Sequence, residues 1–139
     1  MDNKKRGIIE LKRDIGQFAF NHVSEIKTED YAGKYKSYVK SLPAMIINNG
    51  LGNALVFEFS KSSDASDASA EKKAHDQILC HIREFVKRYL DDTVDDKEKL
   101  IKKIMSLDTH TYMFWTEQIL LYLNWLRRFV EGMIAKEEG

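Results

Sequence analysis

A chain of 139 residues that is 43% hydrophobic and 32% charged can bury a core of its own, without disulfide or metal support. Its 22 basic and 22 acidic side chains cancel, which excludes the global basic excess typical of nucleic-acid binders, so any such site has to be a local patch. One proline, seven glycines and a single cysteine, Cys80, argue for helices over a turn-rich β fold and for a reducing compartment.

Helical periodicity dominates from the start. Ile8, Leu11, Ile15, Phe18, His22 and Ile26 recur at three- and four-residue steps and predict a first helix over residues 4–26, with Gly7 and Gly16 tolerated inside it. The N-terminus lacks the apolar stretch of a signal peptide and no apolar run reaches the length of a membrane span, so a soluble, cytoplasmic protein without membrane contact is expected. Thr28 is placed to cap a second helix running from Asp30 toward Ser41. Pro43 removes a backbone donor, so a break is expected there, followed by a short helix ending at Asn49-Gly50. A third segment runs from Leu51 to Ser60. Residues 60–70, SKSSDASDASA, hold no large apolar side chain and are expected to form a mobile polar loop, closed by Asp67 or Ser69 capping a helix over 70–90. Asp95 with Glu98 suggests a capping box for a short helix bearing Leu100, Ile101 and Ile104, and Asp108 caps a last helix over 109–136. That helix is apolar on more than one face, as a central helix or one covered by a partner would be. The class is all-α: one domain over 1–139, a bundle of five to six helices.

Catalytic constellations are sparse. The four histidines, His22, His75, His81 and His110, form neither a Glu-x-x-His nor a His-Glu-x-x-His pattern, and there is no second cysteine for a zinc site. His75-Asp76 suggests helical metal-dependent phosphohydrolases of the HD type, with His22 and one of Asp91, Asp92 or Asp95 completing the set. Against it, His22 lies on an apolar stripe, where a satisfied core histidine is the commoner outcome. Gly50-Leu51-Gly52 lacks the strand and lysine of a phosphate loop. The expectation is no enzyme, no cofactor and no metal.

Two basic stripes remain. Between Ala32 and Phe57 stand Lys34, Lys36 and Lys40, interleaved with Tyr31, Tyr35 and Tyr38, and no Asp or Glu. Lys36 and Lys40 share a face one turn apart, and tyrosines, Ser and Asn amides are groups that reach bases, riboses and phosphates. A solvated helix face with half-buried tyrosines explains the same pattern. Arg127-Arg128, beside Trp125, form the second stripe in an acid-free window from Gln118 to Val130; the polar face of a buried helix explains it equally. Lys4, Lys5, Arg6, Lys12 and Arg13 make a third cluster, diluted by Asp2, Glu10 and Asp14.

Three features together resemble a known family: KYKSYVKSLPAMIINNGLGNALVFEF (34–59), the closing YMFWTEQILLYLNWLRRFVEGM (112–133), and the layout of a basic-flanked first helix followed by a variable polar loop after Phe59. They are similar to the small α-helical subunit of the type III-B CRISPR effector, the Cmr-type RNA-silencing ribonucleoprotein of antiviral defence. The resemblance implies a non-catalytic bundle whose copies stack head to tail against the backbone subunits and the large polymerase-like subunit, helping to hold the guide RNA–target RNA duplex. It assigns RNA-backbone contacts to Lys34, Lys36, Lys40, Arg127 and Arg128, and with them Asn48, Asn49, Lys5 and Arg6. The alternative is a helical assembly module that touches protein only.

Overall fold

The computed structural model describes residues 3–135, with side chains from Gly7 onward. Six helices form, α1 Asn3–Ile26, α2 Ala32–Asn49, α3 Leu51–Lys61, α4 Ala70–Tyr89, α5 Lys97–Ser106 and α6 Thr109–Met133, and the described residues contain no strand. None of these helices is long and apolar enough to cross a membrane. The long helix near the C-terminus buries Trp115, Ile119, Tyr122, Leu123, Leu126 and Val130 and packs on α1, α2 and α4, while Met113 and Phe114 in its first turns stay exposed.

Side-chain pairs set the helix directions. Gly16 meets Trp125 and Phe20 meets Phe129, so α1 and α6 advance together. Tyr31 with Gln77 and Tyr35 with His81 make α2 and α4 parallel in the same way. Lys36 with Ile134, just past α6, and Lys40 with Glu131 run α2 opposite to α6. The four long helices thus form a ring in the order α1, α6, α2, α4, closed by α1–α4 contacts such as Arg88 with Asp14. The shorter α3 and α5 pack on α4 and on each other.

Two caps follow the sequence signals: the Ser69 side chain accepts from the Lys72 N–H and Asp108 from that of Thr111, each satisfying one orphan donor of a helix start. Four expectations need correction. The α5 cap is Asp96, accepting from the Lys99 N–H, while Asp95 instead pairs with Lys87 and Lys99. Thr28 caps nothing; α2 starts after Tyr31 without a side-chain cap. The last helix stops at Met133, short of the expected 136. Most tellingly, Pro43 does not break α2, which continues through it to Asn49. An internal proline costs about 3 kcal/mol, but Val39, Leu42 and Ile46 flank it and are buried. Each contributes roughly 1.5–3 kcal/mol by burial, so packing outweighs the lost rung. The helix ends where Gly50 takes φ +88°, a conformation that a side chain would strain.

A polar layer crosses the bundle. Each long helix contributes one ring: His22 from α1, Tyr35 from α2, His81 from α4 and Tyr122 from α6, all buried. The two imidazoles stack with centroids 3.9 Å apart and planes within 8°. His22 Nε2 lies 2.7 Å from Glu84 and its Nδ1 2.5 Å from the Tyr122 hydroxyl; His81 Nε2 lies 3.2 Å from Glu25 and its Nδ1 2.7 Å from the Tyr35 hydroxyl. Burial pushes both phenols well above their ordinary pKa, so they remain donors. Hydrogen bonds from the histidines hold Glu84 and Glu25 below the usual carboxylate range, so they accept. His22 Nε2 thus faces a carboxylate and its Nδ1 a phenol, while His81 Nε2 lies between the Glu25 carboxylate and, at 2.9 Å, the Gln77 side-chain amide. No buried side-chain polar atom among the described residues lacks a partner, the condition under which such a layer favours one helix arrangement over shifted ones.

Candidate nucleic-acid interface

The three lysines of α2 do not form one open face. Lys34 points toward the start of α4 and lies 3.6 Å from Glu71. Lys36 is buried at 6% exposure; its ammonium donates to the Ile134 carbonyl at 2.7 Å and lies 3.9 Å from Glu131. Lys40, partly exposed, pairs with Glu131 at 2.5 Å. The window lacks acids along the chain but not in space, because α4 and α6 bring carboxylates to it. The expectation of an exposed, acid-free lysine face is therefore corrected, and Lys36 is placed as a fastener for the end of α6. The signal was legible: Lys36 follows Ala32 by four residues and precedes Val39 by three, so it stands in α2's own buried stripe. Lys40 holds Glu131 below its ordinary range, with Lys36 and Arg127 adding to the field.

Arg127 and Arg128 are placed differently. They follow buried Leu126 on α6, and a step of one or two residues turns them to the outer surface, where both are exposed. Together with Lys40 and Glu131 they line an open recess of about 390 Å³. Among the described residues Arg128 makes no ion pair, and Arg127 acts only through its field on Glu131. The structure thus brings Lys40, Arg127 and Arg128 together, from helices that are far apart in sequence. It sets Asn48 and Asn49 elsewhere: they are exposed near the end of α2, eight and nine residues beyond Lys40, roughly 12–14 Å along the axis. The side chains of Lys5 and Arg6 lie outside the described residues. Arg13, from the diluted third cluster, joins the same side of the molecule, lining a groove with Trp125 and Phe129.

Residues proposed for metal-dependent hydrolysis do not converge. His75 is buried against Glu58, 2.5 Å away, and stacks on Tyr38. Asp76 turns instead to Lys97 and the Cys80 thiol. His22 belongs to the polar layer, as a satisfied core histidine. The buried Glu58–His75 pair was missed in the sequence, although Leu51, Ala54, Leu55 and Glu58 keep helical spacing and put the glutamate on the buried side. One group could hold a cation by distance alone: His22, His81 and Glu84 offer ligand atoms within 4.8 Å of one another. An imidazole binds a metal along the lone pair in its ring plane, and the lone pairs of two nearly parallel stacked rings do not meet at one point. Every ring nitrogen there is also already hydrogen-bonded. The chemistry this cluster supports is a hydrogen-bonded core layer.

Comparison with known proteins agrees with this architecture. Residues 11–133 match the family model described as CRISPR-associated protein (Cas_Cmr5). The CRISPR system Cmr subunit Cmr5 of Thermotoga maritima is 25% identical over 132 residues, covering 93% of this chain and 88% of its own length. The crystal structure of a CRISPR-associated Cmr5 family protein from Thermus thermophilus superposes with a TM-score of 0.72 at 20% identity, over 89% of this chain and 97% of that one, a likeness of fold. With a family match spanning nearly all of its helices, the chain belongs to the Cmr5 family, the small subunits of the type III-B CRISPR Cmr system.

Proposed function

We propose that this subunit is non-catalytic and works by stacking, copy upon copy, within the Cmr ribonucleoprotein, where it steadies the guide RNA–target RNA duplex through contacts to the sugar-phosphate backbone. The observation that carries the reading is the recess shared by Lys40, Arg127 and Arg128. It joins two exposed guanidinium groups, and the one carboxylate among its described lining residues, Glu131, already pairs with Lys40. Guanidinium groups suit phosphate because their fork of donors matches its oxygens. Such contacts carry no sequence information, which fits a complex whose specificity comes from base pairing. Few contacts per copy bind weakly, and repetition along an array raises the effective concentration. Zero net charge is consistent with this arrangement, since strongly basic copies would repel one another. Lys34 remains in the proposal as a partly exposed cation paired with Glu71, and Asn48, Asn49, Lys5 and Arg6 remain as further candidates.

Stacking also has a candidate surface. Ile47, Met105, Met113 and Phe114 are 71%, 58%, 59% and 51% exposed. The contacts of Gly52 with Met105 and of Gly52 with Tyr112 gather that end of α2, α5 and α6 at one end of the bundle. An assembly module that touches only protein would rest on this surface alone, which keeps it as the second reading.

Charge reversal separates the two. Arg127→Glu with Arg128→Glu is expected to lower RNA retention by the assembled complex by tenfold or more and to flatten its salt dependence, since each lost phosphate contact removes about one unit of slope. Met113→Ser with Phe114→Ser is expected to weaken incorporation of the subunit. If the arginine reversal leaves RNA retention unchanged and only the apolar substitutions matter, the protein-only reading replaces the first.

A further inference from the structure

The basic recess continues into an aromatic groove of different chemistry. The Trp125 indole lies against α1 at Gly16, where an added Cβ would come within 3.3 Å of the ring; the glycine lets a large aromatic down onto the helix backbone. Trp125 stacks in offset fashion on Phe129, with centroids 5.9 Å apart and planes 16° apart, and Phe20 meets Phe129 edge-on at 5.5 Å. Phe20 is 41% exposed. These rings, with Arg13, Gly16 and Gln17, line an open groove of about 410 Å³ between α1 and α6. Trp125 also borders a smaller recess with Asn124 and Arg128, and Arg128 borders the recess of Lys40 and Arg127. The aromatic groove and the basic recess are therefore one continuous strip across the outside of α6.

We propose that this groove receives unpaired bases of single-stranded RNA, with Phe20 and Trp125 as stacking surfaces and with Arg13 and Arg128 holding the phosphates on either side. The inference rests on the RNA-contact reading above and extends it from backbone to base. Charge decides the occupant. Arg13 and Arg128 both line the strip, the amide side chains of Gln17 and Asn124 line it too, and no carboxylate stands among its described lining residues. An apolar protein helix seated there would desolvate Arg13 and Arg128 without returning a charge partner, whereas a nucleotide strand supplies a phosphate beside each planar base. A duplex keeps its base faces stacked inside and offers none to Trp125. Stacking on aromatic side chains tolerates any base, so the groove needs no preferred sequence.

The test compares a short single-stranded RNA of mixed sequence with the blunt duplex of the same length. Affinities are read on the assembled complex, and Trp125 emission is read on the full chain at low ionic strength, isolated as the difference between the native chain and Trp125→Phe. Trp115, buried at 4% exposure, serves as the silent reference. The expected result is quenching of Trp125 by the single strand and not by the duplex. Phe20→Ala, at an exposed position that leaves the core intact, and Trp125→Leu are each expected to weaken single-strand binding by about fivefold or more with little change for the duplex. Arg127→Glu with Arg128→Glu weakens both. If Phe20→Ala and Trp125→Leu leave single-strand affinity unchanged while the arginine reversal still lowers both, base stacking is wrong and the backbone reading stands. If neither set alters RNA binding, both readings fall. If the aromatic substitutions instead disrupt association between copies, seen by sedimentation, the groove is a protein interface and the inference is overturned.

Discussion

The cations of α2 and those of α6 look alike in the sequence and lead different lives in the fold. Both sets stand beside aromatic residues in windows free of Asp and Glu. In the bundle, Lys34 meets Glu71, Lys36 is buried under the end of α6, and Lys40 meets Glu131, whereas Arg127 and Arg128 face outward. The difference lies in register. Lys36 falls within the buried stripe of its helix, and the arginines fall just past the stripe of theirs. Charge composition along a segment therefore says little about the field at its surface, because neighbouring helices supply the missing sign.

The sharpest way to break this comparison is to exchange the cations for neutral side chains and follow stability. Lys36→Met keeps the buried stem but leaves the Ile134 carbonyl without its donor; a loss of about 1–3 kcal/mol is expected, read as a lower urea midpoint at unchanged slope. RNA retention per folded molecule should stay at the native level, and a selective RNA defect would return Lys36 to the interface. Tyr35→Phe tests the interior layer that holds α2 beside α4. It removes the donor to His81 Nδ1 and is expected to cost roughly 1–2 kcal/mol in the same measurement.

The pH dependence of that layer follows from the direction of its shifts. Burial lowers the His81 pKa from its ordinary 6.5. Between the folded and unfolded pKa values the unfolded chain binds more protons, so stability rises with pH. The His81 contribution is complete above about pH 6.5 and is lost as pH falls from there through the folded value. Glu25 and Glu84 are shifted below the ordinary 4.5, so their contributions are present above that value and are lost below it. Stability in urea unfolding at a series of pH values should therefore fall first below pH 6.5 and again below 4.5; a flat profile from pH 7 to 5 would contradict the lowered His81 value.

Smaller effects complete the comparison. Lys40→Gln breaks an ion pair with a half-exposed glutamate and is expected to cost at most about 1 kcal/mol, less at high salt. Arg127→Ala and Arg128→Ala should each stay within about 0.5 kcal/mol of the native chain by thermal unfolding, since both side chains are exposed and neither holds a neighbour in place.

Much of the architecture is legible in the order of the residues. The part of the α1 stripe formed by Ile15, Phe18, His22 and Ile26 and the caps Ser69 and Asp108 act over one or two turns, so local spacing reports them directly; Ile8 and Leu11, expected on the same stripe, are each 48% exposed, because the start of α1 extends past the end of α4, whose last residue Tyr89 meets Asp14. Continuation of α2 through Pro43 was not legible, because the burial that offsets the proline comes from α4 and α6. The candidate site was half legible. Arg127 and Arg128 stood out as a pair beside Trp125, but their union with Lys40, and that of Trp125 with Phe20 and Arg13, depends on which helices lie side by side. Likewise, nothing local tells that His22 and His81, far apart in the chain, stack face to face.

By itself the sequence determined the all-α class, a bundle of five to six helices and most of their apolar faces, since periodicity and capping are properties of neighbouring residues, and its longer motifs already carried the family likeness. Only the tertiary structure decided which charges are spent inside the bundle and which remain on its surface. Ion pairs and buried donors join residues from different helices, and their partners are set by helix order and direction, quantities that no stretch of one helix contains.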